Sequence, residues 1–271
     1  MKIAITGGSG FIGQHLLRLA NEYGHEAWSF DRNEGNDIMG DLRGLSGANC
    51  VVHLAGVLGT HELFDRVQDA IDINITGSHK IMRWCLNSGA SYVGITMPDA
   101  FPSIYTATKI ATQRLATALH HSRDLKVSHV RAFNAYGPWQ KFGSGHPQKI
   151  IPTFSRRAWD RLPIPIWGDG SQTVDLIHAH DIAKILLFAT ELHEDQVIDA
   201  GTGVGITVND LASWILKYTG SEAGVEYLPM RDGETPTEIV AKGENWWKLG
   251  DWRPRLDWNL ITETVDWYRN R

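Results

Sequence analysis

Cysteine is scarce in this chain: only Cys50 and Cys85 stand among 271 residues. They are too few and too far apart for a CxxC pair or a disulfide framework, and they suit a reducing cytoplasm. No apolar run approaches the ~20 residues of a membrane span. The first strand is expected to begin at residue 2, which leaves no room for a signal peptide, so no membrane partner and a cytoplasmic location are expected. Basic charge is not in excess either. The 26 Lys and Arg against 31 Asp and Glu give a formal net charge of -5, so no nucleic-acid partner is implied. Without an HExxH run or a cysteine set, no metal site is expected.

The most informative residues come first. Met1 to Thr6 reads as a short apolar strand, followed at once by Gly7-Gly8-Ser9-Gly10-Phe11-Ile12-Gly13. A glycine turn between a strand and a helix offers backbone amides and a helix dipole to a pyrophosphate. The context such a turn needs is present. Leu16, Leu17, Leu19 and Ala20 give the following helix an apolar face, and Asp31 ends a second strand at Glu26 to Phe30. A carboxylate there accepts both ribose hydroxyls of an adenosine and repels a 2'-phosphate, so NAD rather than NADP is expected. Arg32 beside it is the one residue that could serve a phosphate instead.

Further strands are expected at Cys50 to Leu54, Tyr92 to Thr96 and Lys126 to Arg131, with helices near Asp69 to Asn87 and Ser103 to His121. Strands in step with amphipathic helices predict an α/β fold, a doubly wound parallel sheet of Rossmann type. Beyond Asn134 prolines and glycines crowd the chain, so a smaller, interleaved substrate-binding domain is expected over the strand ends. The division predicted is 1-133 plus about 173-200 for the NAD-binding domain, and about 134-172 plus 201-271 for the lid.

Tyr105 and Lys109 lie four residues apart on one face of a helix. A phenol with an ordinary pKa of ~10 is a poor base at neutral pH. A neighbouring ammonium and a positive nicotinamide both favour phenolate, which makes the pair a usable proton acceptor. Thr96 ends the fourth strand, where its hydroxyl could relay a proton between substrate and Tyr105 or hold the substrate oxygen. Of the eleven tryptophans, Trp139 and Trp167 lie nearest the expected pocket, whereas Trp246, Trp247, Trp252, Trp258 and Trp267 are expected in the lid core.

Taken together, these residues resemble the extended short-chain dehydrogenase/reductases of the NAD-dependent epimerase/dehydratase type. The likeness runs from TGGSGFIG through Asp31, Gly40-Asp41-Leu42, His53-Leu54-Ala55-Gly56, Asn74 and Tyr105-xxx-Lys109. It continues through Arg131 to Pro138, Trp167 to Gln172, His178 to Asp181, and Arg231-Asp232-Gly233-Glu234. The resemblance implies that Asp41 and Leu42 flank the adenine, while Leu54, Ala55, Gly56 and Asn74 belong to the cofactor site. By the same likeness Lys109 bonds the nicotinamide ribose and Phe133 borders the nicotinamide. It also implies that Asn134 and Arg231 hold a nucleotide-sugar diphosphate. A homodimer is implied too, paired through the apolar faces of Ile71 to Leu86 and Ile110 to Leu119. His178 to Asp181 becomes a buried connection rather than a metal cluster.

Departures narrow the activity. Thr96 is followed by Met97-Pro98 where sugar 4,6-dehydratases carry Asp-Glu, so dehydration is disfavoured. The expected reaction is epimerisation of an activated sugar, at C4, through a transient keto intermediate with retained NAD. The alternatives are reduction of a 4-keto nucleotide sugar with exchangeable NADPH, and a non-catalytic dinucleotide sensor, against which Tyr105 and Lys109 argue. The segment from Thr96 to Tyr105 is shorter than in the family. Val174 stands where the family carries a diphosphate-binding arginine, which leaves Arg231, with Arg156 or Arg157, as the available cations.

Overall fold

The computed structural model describes residues 1-143 and 146-270. Its first half runs β1 (Lys2–Thr6), α1 (Phe11–Glu22), β2 (Glu26–Phe30), β3 (Cys50–His53), α2 (Val67–Ala70), a π-helical segment (Ile71–Gly77) and α3 (Ser78–Ser88). Then come β4 (Ser91–Thr96), α4 (Ile104–Arg123) and β5 (Val127–Ala132). The remainder is β6 (Asn134–Tyr136), α5 (Ile150–Trp159), β7 (Ile164–Trp167), β8 (Thr173–His178), α6 (Ala179–Ala189) and β9 (Gln196–Ala200). It ends with β10 (Gly205–Thr207), α7 (Val208–Thr219), β11 (Val225–Leu228), β12 (Glu238–Ile239) and α8 (Trp258–Trp267).

Six strands pair in the order β2-β1-β3-β4-β5-β9, every pair parallel. Because strand side chains alternate, each face has its own core. Ile3, Ile5, Val52, Val93, Val130 and Ile198 pack on one side with residues of α1 and α6. Ala4, Val51, Tyr92 and Val127 pack on the other with residues of α3 and α4. Parallel strands buried on both faces explain the near-continuous apolar runs in the sequence. The strand order turns back at β1, which opens a crevice between the loops after β1 and β3, the place where such sheets bind ligands.

The second region holds two small sheets, one of β10-β8-β12 with β6 added on β8, and one of β11-β7. Its core joins Tyr136, Phe154, Ile166, Leu176, Ile215 and Tyr268. Thr173–His178, grouped by sequence with the first domain, hydrogen-bonds within this second region, whereas α6 and β9 return to the main sheet. Two buried carboxylates stitch the regions together. Asp175 accepts from Thr202 N and Oγ1, both at 2.7 Å, from Gly203 N at 2.9 Å and from Ala241 N at 3.0 Å. Asp199 accepts from Arg131 Nε at 2.7 Å and from Glu244 N at 3.0 Å. Charge buried this way is stable only because donors surround it.

The expected helix over Asp69 to Asn87 is broken by the π turn, which a hydrophobic repeat does not reveal. Trp247 is 70% exposed rather than part of a core, while Trp246 packs against the main-sheet cluster.

Candidate active site

The glycine turn has no room for side chains. Gly7 has φ +73°, and a Cβ on it would lie 2.8 Å from Ala55 N. A Cβ on Gly13 would collide with the backbone of Gly7 and Gly8. Gly10 caps α1 without a side-chain hydrogen bond, so the amides of its first turn are left for a ligand. Phe11 and Ile12 occupy that turn, Ile12 packed on the core and Phe11 edge-on to His15 at 5.8 Å. Asp31 is held against the same turn: its carboxylate accepts from Ser9 N at 3.3 Å and from Asn33 N at 3.0 Å. A cradle of bare backbone at a helix start, with a carboxylate at the end of β2, fits a dinucleotide. Arg32 is turned away onto Asp37 at 3.1 Å, in an ion pair largely exposed to solvent. Asp41 is exposed and bonded to Arg43, and Leu42 is partly buried.

Behind the cradle a directional chain of hydrogen bonds crosses the core. Ala55 N donates to Thr6 Oγ1 at 3.3 Å, and Thr6 Oγ1 lies 2.6 Å from His53 Nδ1. His53 Nε2 lies 2.8 Å from Ser78 Oγ, which donates to the Asn74 carbonyl at 2.6 Å. Because Ser78 spends its hydrogen on Asn74, His53 must donate from Nε2 and accept from Thr6 at Nδ1, the neutral tautomer. Burial, and then the charge of Lys109, lower its pKa to about 3, in agreement with that state. The sequence marked Asn74; it missed Thr6, His53 as a hydrogen-bonding partner, and Ser78. The signal for His53 was available, as a histidine inside an otherwise apolar strand.

Asn74 sits in the π turn and ties three elements. Its Oδ1 accepts from Val57 N at 2.9 Å, and its Nδ2 donates to Val57 O and Thr108 Oγ1, both at 3.1 Å. Its carbonyl also accepts from Thr112 Oγ1 at 2.8 Å. Beside it a Cβ on Gly56 would meet Asn74 Oδ1 at 2.8 Å and Lys109 Nζ at 3.3 Å. Leu54 joins the core at the strand end.

Ser103 caps α4 by accepting from Thr106 N, and the first turn presents Tyr105. Tyr105 is 9% exposed, clustered with Leu63 and Ala70 and flanked by Val57, Met97 and Ile104. Lys109 Nζ lies 6.0 Å from its ring centre. Burial pushes the phenol above its ordinary pKa and pulls Lys109 down to about 8. Desolvation thus outweighs the ammonium among the protein's own groups, where the sequence argument had the ammonium favouring phenolate. Thr96 is buried with its hydroxyl donated to Gln113 Oε1 at 2.7 Å, two helical turns beyond Tyr105. The expected relay between Thr96 and Tyr105 is therefore not assembled here, and Gln113 was not foreseen.

Phe133 and Asn134 follow β5. Phe133 donates from its amide to Ala200 O at 3.0 Å, and Asn134 opens β6 opposite Leu176. A cavity of about 680 Å³ opens where the second region faces the loop after β3, lined among others by His61, Trp167, Arg156, Arg157 and Arg231. Tyr105 does not line it, but the two are joined through the Arg231–Glu234 loop. A Cβ on Gly233 would meet the Phe64 ring at 2.6 Å and Ser103 Cβ at 3.5 Å, so this loop rests on the cap of α4. Arg231 lies 4.4 Å over the Trp167 ring and forks onto Glu234 through Nε at 3.0 Å and Nη2. Lys149, unremarked in the sequence, has its pKa lowered by burial within the field of Glu62, Arg231 and Glu234. Val174 is buried in the apolar core of this region. Trp139 packs on α1, 4.7 Å from His15 and 4.2 Å from Arg18.

With this geometry in view, comparison with known proteins places the chain. The model of the NAD dependent epimerase/dehydratase family matches residues 3-201, and the protein belongs to that family. It is an enzyme, and its cofactor is NAD. It is 27% identical to a UDP-glucuronate 4-epimerase of Thermodesulfobacterium geofontis over 240 residues, 81% of this chain and 72% of that protein. It is 26% identical to a dTDP-glucose 4,6-dehydratase of Streptomyces griseus over 313 residues, 98% of this chain and 93% of that one. Its fold matches that of the UDP-glucose 4-epimerase of Thermotoga maritima solved with UDP-glucose. The TM-score is 0.89 at 23% identity, with 99% of each chain covered.

Proposed function

We propose that this enzyme epimerises a nucleotide-activated sugar at C4. The observation that carries the reading is the buried phenol of Tyr105, with Lys109 behind it and the bare backbone of Ala55 and Gly56 nearby. In this proposal Gly7, Gly10, Phe11, Ile12 and Gly13 hold the pyrophosphate of NAD, and Asp31 takes the adenosine ribose. Asp41 and Leu42 flank the adenine, Leu54, Ala55, Gly56 and Asn74 line the path to the nicotinamide, and Phe133 borders it. NAD, when bound in this cradle, would supply the hydride acceptor for the sugar carbon and the hydride for its return. Tyr105 takes the proton of the ring hydroxyl, helped by the positive charge of the nicotinamide against the upward pull of burial. Lys109 bonds the ribose and steadies the phenolate. Thr96 meets the substrate oxygen only after its bond to Gln113 exchanges. Asn134 and Arg231 face the diphosphate.

One feature favours epimerisation over dehydration. Met97 and Pro98 follow Thr96, so no acid-base pair stands there ready to eliminate water, while the relatives include both 4-epimerases and dehydratases. A homodimer belongs to the same proposal: Ile71 and Leu115, each 38% exposed, lie on the two faces expected to pair. Among the described residues no helix is long and apolar enough to cross a membrane.

The test is to purify the enzyme, identify the nucleotide released on denaturation, and incubate it with UDP-glucose, UDP-glucuronate, UDP-N-acetylglucosamine and dTDP-glucose without added cofactor. Copurified NAD and the appearance of a C4 epimer by NMR are expected. A 4-keto-6-deoxy product, or turnover only with added NADPH, would overturn the reading.

A further inference from the structure

The cations around the 680 Å³ cavity are not equally available. Arg231 is neutralised by the two-pronged contact with Glu234 and pressed on Trp167. Arg156 is paired with Asp160 one helical turn away, at 2.7 Å. Arg157 is different. Its Nε donates to the Pro163 carbonyl at 2.8 Å, and among the described residues no carboxylate lies within ion-pair distance of it. The anchor uses the inner edge of the guanidinium and leaves the outer edge, with both terminal nitrogens, on a side chain that lines the cavity. The carbonyl it holds begins the approach to β7, the strand that ends in Trp167. One connection therefore fixes both the cation and the aromatic ring.

We propose that Arg157, alongside Arg231, supplies charge that binds the diphosphate of the substrate, Arg157 from its Pro163 anchor and Arg231 from its place over Trp167. The proposal rests on the nucleotide-sugar reading above and assigns it a residue. A planar fork already anchored at Nε meets two phosphoryl oxygens with little further ordering. Arg231 shares its charge with Glu234, so a second cation, without a carboxylate partner among the described residues, strengthens the hold on a doubly charged group.

The experiment measures binding of UDP and dTDP, each beside its nucleoside, to the intact enzyme by calorimetry and NMR, for wild type, R157Q and R157K. R157Q is expected to weaken the diphosphates about 10- to 100-fold, the range for a lost charge-assisted contact, and to leave uridine and thymidine unchanged. Its affinity for UDP should also fall less steeply with salt. R157K keeps the charge without the fork and should weaken the diphosphates by a smaller factor, which keeps the question open to test if R157Q does not fold. Diphosphate binding unchanged in both variants would overturn the proposal. Parallel loss of nucleoside and diphosphate would overturn it as well, because that pattern marks a structural role. A wild type that binds neither diphosphate would overturn the nucleotide-sugar reading, and this inference with it.

Discussion

Around Asn74 the polar side chains have found protein partners, whereas around Trp167 the charges sit in short ion pairs within their own segments and Arg157 has only a carbonyl. The first region is a closed network from Thr6 to Thr112, tied to five elements of the main fold. The second is a cavity whose ion pairs can be traded for a ligand's charge. A reaction centre needs fixed geometry, and a recognition surface needs groups that can exchange. On the proposed reading the two regions answer those two demands.

The sharpest break of the comparison is expected at the glycine cradle. Gly13→Val should abolish NAD binding, because the added carbons would displace the backbone of Gly7 and Gly8; isothermal titration with NAD checks it. Tyr105→Phe should keep NAD and nucleotide binding while kcat falls about 10²- to 10⁴-fold, the range for a lost general base. Unchanged turnover would sink the assignment of the base.

Lys109 allows a test by pH. Burial lowers it to about 8, so the unfolded chain binds a proton more readily than the folded one between that value and the ordinary ~10.4. Below about 8 the folded state carries the full cost, on the order of 2-3 kcal/mol, and the cost fades as pH rises towards 10. Lys109→Met should therefore gain stability over wild type in urea titrations at pH 7, with the gain shrinking by pH 10. Using the difference between the two proteins cancels the opposite trend from the buried Cys50 and Cys85, whose raised pKa values make the fold lose stability in alkali.

Asn74→Ala leaves the amide and carbonyl of Val57 without their partner and is expected to cost about 1-3 kcal/mol in the same titrations. At the small end, Arg32→Ala removes an exposed pair with Asp37 and should change stability by less than about 1 kcal/mol. It should not alter the preference for NAD over NADP. A marked gain or loss of selectivity would bring Arg32 back into the cofactor site.

The nucleotide-binding half was legible because its chemistry is written in backbone requirements. Gly7, Gly10 and Gly13 announce a turn that only glycine can make, and the apolar runs of β1, β3, β4 and β5 announce a sheet buried on both faces. Asp31 was findable by its distance from that turn. The hydrogen bond of Thr96 to Gln113 was not, since nothing local relates a strand end to a residue two turns down the next helix. Arg157 was visible only as one of two adjacent arginines, and the difference between them lies in what each touches, Pro163 or Asp160. The π turn escaped because an apolar repeat reports a helical face and is blind to one extra residue in the winding.

That extra residue makes chain length, as well as residue identity, a functional quantity. Each position in a helix advances about 100° around the axis. Deleting any one residue within Ile71–Gly77 would let the coil relax to ordinary pitch and swing Asn74 away from either Val57 or Thr108. Lineages descended from this enzyme should therefore preserve the count of that stretch, with Asn74 in its place, while the residues that make no such tie vary.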